Sequence, residues 1–141
     1  MSDSNYTAEV PVLTHAAVLE MLRAATEAAE QIGQPQCIVI VDASGETIGA
    51  LRMAGAKYLS MKSARAKART AASIGAPTTA IPEHVGPAIA AATEGDVTRL
   101  AGGLPIRIGA VLVGGIGIGS GSPDQDVAVA EAALLAIGAS G

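Results

Sequence analysis

The chain has 141 residues, half of them apolar, with 17 Gly, two Tyr, no Phe or Trp, and a formal net charge of −4. That length suits a single domain, which buries roughly 68% of its unfolded surface and needs no metal or disulfide to fold. Scattered basic residues and absent aromatic platforms argue against a nucleic-acid footprint, and a lone Cys37 excludes an internal disulfide.

Residues 1–11 are polar, carry Asp3 and Glu9, and lack the basic start and apolar run of a signal peptide. They read as a flexible arm ahead of one domain over 12–141. The longest uncharged stretch, 108–123, is Gly-rich and shorter than the roughly 20 apolar residues of a membrane helix. The expectation is a cytoplasmic protein with no membrane partner. Its core of Ala, Val, Ile, Leu and Gly buries little area per side chain, which favours self-association.

Thr14 is a predicted N-cap. Val18, Met21, Leu22, Ala25, Ala29 and Ile32 follow at helical spacing until Gly33 and Pro35. Cys37 to Val41 reads as a buried strand, 42–45 as a turn, and Thr47 to Met53 as the returning strand. A second helix is predicted over 58–74, with an apolar stripe of Met61, Ala64, Ala68, Ala71 and Ala72 and a basic, exposed face of Lys62, Arg65 and Arg69. A weakly patterned helix is predicted over 82–93. Gly102 to Pro105 opens a second hairpin, pairing Ile106 to Ile108 with Val111 to Ile118. The glycines in the longer strand suggest a bulge or a close approach by backbone or ligand. Ser122, Pro123 and Gln125 form a capping box, with Asp124 and Asp126 favouring the helix dipole, ahead of a buried face of Val127, Ala130, Ala133, Leu134 and Ile137. The order α-β-β-α-α-β-β-α gives an α+β class, an antiparallel sheet of two β-hairpins flanked by helices.

The Gly-rich run 115–122 does not match G-x-G-x-x-G in any frame and has no P-loop lysine. What remains is a turn whose N–H groups, around Gly119, Ser120 and Gly121, either face a small anion or are consumed by the Ser122–Gln125 cap. Ser63, Lys67 and Thr70 form a polar stripe that lines a pocket or belongs to a solvated face. Arg52, at a strand end, clamps a carboxylate or pairs with Asp42 or Glu46. The histidines His15 and His84 both sit at predicted helix starts and belong to no zinc spacing. Buried in an apolar run, Cys37 reads as inert.

Five motifs, in order from about Thr14 to the C-terminus, resemble those of the GlcG/HbpS-like family. Val41-Asp42-Ala43-Ser44-Gly45 with Arg52-Met53-Ala54-Gly55-Ala56 is similar to the family's VVDxxG…xRMDGA hairpin. Ala66 to Ala71 with Pro77-Thr78 is similar to its KAxTA…PT helix. Gly102 to Ile106, Gly114 to Gly117, and Pro123 to Asp126 are similar to its GGxPI…GxIGVSGxxxxQD end. The sequence departs from that pattern at Ala54, where an acidic residue is usual, and at Gly119-Ser120-Gly121. The resemblance implies an α/β domain that forms symmetric oligomers and binds a small molecule. Among such proteins some bind or degrade haem, some are fused to corrinoid enzymes, and many accompany catabolic operons. It also implies that Arg52, Lys67 and Thr70 stand where the family keeps polar residues.

Three readings follow. One is a haem or tetrapyrrole binder, with His15 and His84 as axial candidates. The second is a cofactor-independent isomerase, hydratase or lyase acting on a small carboxylate, with Lys67, Arg52 and Glu94 as the catalytic set and Asp42 and Asp96 as further carboxylates. The third is a purely structural role.

Overall fold

The computed structural model describes residues 5–141. Its elements are α1 (His15–Gln31), β1 (Cys37–Asp42), β2 (Thr47–Arg52), α2 (Ser60–Ile74), α3 (Gly86–Ala92), β3 (Gly103–Ile108), β4 (Val111–Gly119) and α4 (Pro123–Ala136). Single-turn 3-10 helices at Thr78–Ala80 and Glu83–Val85 precede α3. The fold is α+β in the predicted order. Residues 5–12 are exposed and hold no helix or strand, while Met1 to Ser4 of the expected arm lie outside the described residues. No described helix is long and apolar enough to cross a membrane.

Both hairpins form, and β1 joins them by pairing with β4, giving an antiparallel sheet in the order β2-β1-β4-β3. Pro105 is accommodated because β3 is an edge strand, where a missing donor costs no ladder bond. Alternation sorts the strand residues between two faces. Ile38, Ile40, Leu104, Ile106, Ile116 and Ile118 face α1 and α4, whose Met21, Ala25, Ala29, Val129, Ala130 and Ala133 complete the larger core. Cys37, Val39 and Val41 face α2, packed on Ala64, Ala68 and Ala72.

The second face is unusual because, beyond Leu112 near the C-terminal end of α2, β4 presents glycines to that helix. A Cβ placed on Gly115 would strike the Ala68 carbonyl oxygen, one on Gly117 the Ala64 oxygen, and one on Gly119 would lie 2.8 Å from the Ser60 oxygen. Four residues of helix rise about 6 Å, and two residues of strand span about 6.8 Å. One glycine therefore meets each helical turn, with the helix running antiparallel to β4. On β3, Gly103 meets the Lys67 carbonyl oxygen in the same way. Gly115, Gly117 and Gly119 thus mark a close approach by helix backbone, whereas Gly114 lies against the Val41 backbone. Gly114 also borders a register irregularity, since Ile106 pairs with Gly114 and Arg107 with Leu112, leaving Val113 as an extra residue on β4; a second irregularity lies at Ile40/Val41.

Several predicted details need correction. Ile32 caps α1 and is 45% exposed, because the chain turns at Gly33 before another apolar position can face the core. The second helix begins at Ser60, not residue 58. Residues 82–93 divide into a 3-10 turn and α3 at Gly86. Gly103 to Pro105 already pair within β3. Arg69 is half-buried against Asp96, 3.5 Å away. The buried face of α4 includes Asp126 and Val129, while Val127 and Ile137 are only partly covered. In Gly117→Ala the new methyl has no space unless α2 lifts from the sheet. Urea denaturation should show a loss of about 3 kcal/mol, and an unchanged midpoint would refute this packing.

Candidate functional site: a buried ion pair beneath a polar pocket

Close seating of α2 carries Lys67 over the end of the sheet. Its ammonium donates to the Ile118 carbonyl at 2.7 Å and to Asp126 Oδ2 at 3.0 Å. The two side chains are only 6% and 4% exposed. Asp126 stands in the first turn of α4, and its Oδ1 accepts the Gly121 N–H at 3.0 Å. Both carboxylate oxygens are therefore engaged, whereas the third ammonium proton of Lys67 has no partner among the described residues. Burial pushes the Asp126 pKa above its ordinary 3.8, and Lys67 with the Gly121 N–H offsets part of that rise.

The loop from β4 to α4 is shaped by this pair. A Cβ on Gly121 would lie 2.6 Å from Gln36 Nε2 and 2.8 Å from Asp126 Oδ1. Ser120 adopts φ 85°, a costly conformation for a residue with a side chain. Two hydrogen bonds hold it there: Lys57 N–H donates to Ser120 Oγ at 3.0 Å, and Gln34 Nε2 donates to the Ser120 carbonyl at 2.9 Å. Gln36, fully buried beside Asp126, makes no hydrogen bond through either side-chain polar atom among the described residues. Its amide is still near enough to help lower the Asp126 pKa. Cys37 is also buried. Burial raises its thiol pKa, with Arg52 opposing and Asp126 reinforcing the rise.

Above the ion pair opens a pocket of about 310 Å³, walled by Lys57, Ser60, Ser63, Ser120, Gly121 and Leu100 among others. Of the polar stripe, Ser63 and Lys67 share this pocket. Thr70 instead faces the loop after α3, donating to the Asp96 carbonyl at 3.1 Å and accepting the Thr98 N–H at 3.0 Å. Ser120 and Gly121 line the pocket and Gly119 sits beneath α2. The turn's donors are consumed internally: Gly121 N–H by Asp126, Ser122 N–H by Gln125, and Gln125 N–H by Ser122.

Arg52, Lys67 and Glu94 do not share one cavity. Arg52 is exposed on edge strand β2, opposite Cys37, and among the described residues it makes no hydrogen bond or ion pair with Asp42 or Glu46. Asp42 is occupied by its own turn, accepting from Ser44 and the Glu46 N–H, and the Ser44 hydroxyl chiefly lowers its pKa. Glu94 lines a neighbouring groove that shares only Ser63 and Leu100 with the Lys67 pocket. His15 and His84 are exposed on α1 and on the 3-10 turn before α3. Among the described residues no three His, Cys, Asp or Glu side chains gather to hold a metal ion.

Residues 13–135 match the family model described as haem degrading protein HbpS-like. The chain is 34% identical over 123 residues to the corrinoid adenosyltransferase PduO of Salmonella typhimurium, covering 84% of this chain and 37% of that protein. It thus spans little more than a third of that relative. A crystal structure of a PduOC:haem complex superposes with a TM-score of 0.86 at 31% identity, covering 92% of this chain and 98% of the other. A double mutant of Streptomyces reticuli HbpS superposes at 0.84 and 33% identity, covering 96% and 93%.

Lys67→Met strands the Asp126 carboxylate without its cation, which typically costs about 3 kcal/mol or more. The Asp126 pKa rises further. Because a carboxyl with a raised folded pKa contributes its stability fully below its unfolded value and loses it as pH rises through the folded one, the deficit should shrink on acidification. Urea titrations across pH check this, and a pH-independent deficit would contradict it.

Proposed function

The chain belongs to the HbpS-like family, and on that premise we propose that it binds haem or a related tetrapyrrole on its surface around His15. The observation that carries this reading is the setting of that imidazole. His15 stands exposed in the first turn of α1, with Leu19 one turn along the same helix face and 63% exposed. Val10 and Val12, each 73% exposed, lie in the segment leading into the helix. Single exposed apolar residues are ordinary, but here they bracket a group that ligates iron. His84 has Glu83 beside it and is the weaker axial candidate.

A porphyrin is broad, flat and largely apolar, and it fits a surface of this kind better than the internal pockets. The Lys67 pocket and the groove of about 520 Å³ beside Arg69 contain no histidine and are bordered by charged groups. His15 would hold the iron, and Leu19 with Val10 and Val12 would give the porphyrin apolar contact. When bound, the group supplies an iron centre able to take a further ligand or exchange an electron. A second copy of the chain would cover what one copy leaves in water, so self-association accompanies the proposal. The PduOC:haem relative supports this reading, as does the family's description.

Hemin titrated into the protein should give a saturable Soret shift. His15→Ala should weaken it about tenfold or more, and His84→Ala should leave it nearly unchanged. A wild-type protein without saturable shift, or a His15→Ala variant binding normally, would overturn the assignment.

A further inference from the structure

We propose that the pocket over Lys67 and Asp126 is a separate binding site for a small organic monocarboxylate. Its floor is a buried ammonium with two of its three protons committed, to Ile118 O and Asp126, and the third unpartnered. An ion pair serving packing alone can often be replaced by apolar residues of similar volume without loss. This one is covered on the sheet side and borders a cavity on the other.

The donors and acceptors around that cavity select the ligand. Asp126 commits one oxygen to Lys67 and the other to the Gly121 N–H and is only 4% exposed, so it presents little acceptor surface to the pocket. Lys57 adds a second ammonium at the rim and Ser60 a hydroxyl to the wall, while the Ser63 hydroxyl beside it donates to the Ser60 carbonyl at 3.2 Å. Two ammonium groups against one carboxylate leave a single net positive charge among the lining side chains, matching a monocarboxylate better than a phosphate dianion. Leu100, Ala101 and Pro123 provide an apolar side for a short carbon skeleton. A volume of about 310 Å³ admits a metabolite of a few carbons and not a porphyrin.

A second observation points to the same place. Gln36 is fully buried; its amide comes near enough to Asp126 to lower that carboxyl's pKa but completes no hydrogen bond among the described residues, and its Nε2 lies 2.6 Å from where a Gly121 side chain would begin. An orphaned amide behind a pocket wall signals a group still to arrive. A ligand shifting the Ser120–Gly121 turn, or a water drawn in with it, would supply the missing partner. Ser120, held at φ 85° in that turn, is the strained residue poised to move.

The probe is pyruvate, with pyruvamide as its neutral isostere and inorganic phosphate as the competing anion, followed by amide NMR of the full chain without hemin. Pyruvate should give saturable shifts concentrated at Ser60, Ser63, Ser120 and Gly121, and pyruvamide should not. Lys67→Met destabilises the fold, so the deciding variants are at the wall and the exposed rim. Ser60→Ala should weaken binding, and Lys57→Glu should weaken it about tenfold, each with the remaining spectrum unchanged. No saturable shift at those amides, equal shifts with pyruvamide, preferential binding of phosphate, or indifference to Lys57→Glu would each overturn the proposal. None of these outcomes bears on hemin binding at His15.

Discussion

Contact between the carbonyls of α2 and the glycines of β4 is the constraint from which the rest of the structure follows. Side chains on a sheet normally hold a helix away. Here Gly115, Gly117 and Gly119 remove them, and the backbone of α2 settles against the strand. In this arrangement a glycine Cα–H points at a helix carbonyl, a weak attraction that suits the recurring geometry. The alanines of α2 serve the same end, since Ala64, Ala68 and Ala72 cover Cys37, Val39 and Val41 with little bulk. A chain without Phe or Trp thereby builds a dense layer from its smallest residues.

That seating sets the reach of Lys67. With its carbonyl against Gly103, its side chain extends along the end of β4 to Ile118 and then to Asp126 on α4. The ion pair thus ties α2 on one face of the sheet to α4, which packs on the other. It also fixes the turn between β4 and α4, through the Gly121 N–H. Taking two charges out of water is expensive, and the position of this pair under a pocket gives a physical reason for the polarity beyond stability. The His15 surface lies on α1 and draws on different residues, so the two proposed sites do not overlap.

Much of this was legible in the sequence. The Ser122 capping box, the Thr14 cap, both hairpins and the element order follow from local patterns, because each is decided by a few adjacent residues. Lys67 stood out as a lysine amid small residues, but periodicity alone left open whether it faced solvent or a pocket. Asp126 was missed as a site residue because two acids in a first helical turn read as dipole partners. A signal was present: Asp126, Ala130 and Ala133 share the spacing of one buried face. The strand glycines suggested close approach, yet only the pairing of a two-residue strand period with a four-residue helix period identifies the helix as the neighbour. Gln36 carried no such signal. Its isolation depends on contacts between segments distant in the chain.

A double-mutant cycle combining Lys67→Met with Asp126→Leu, followed by urea denaturation, tests the central claim most directly. If α2 seats Lys67 against Asp126 as described, each single variant is strongly destabilised and the double variant recovers much of the loss, with a coupling of about 2–3 kcal/mol. Additivity of the two single effects to within about 0.5 kcal/mol would show that the side chains do not meet, and would contradict the account.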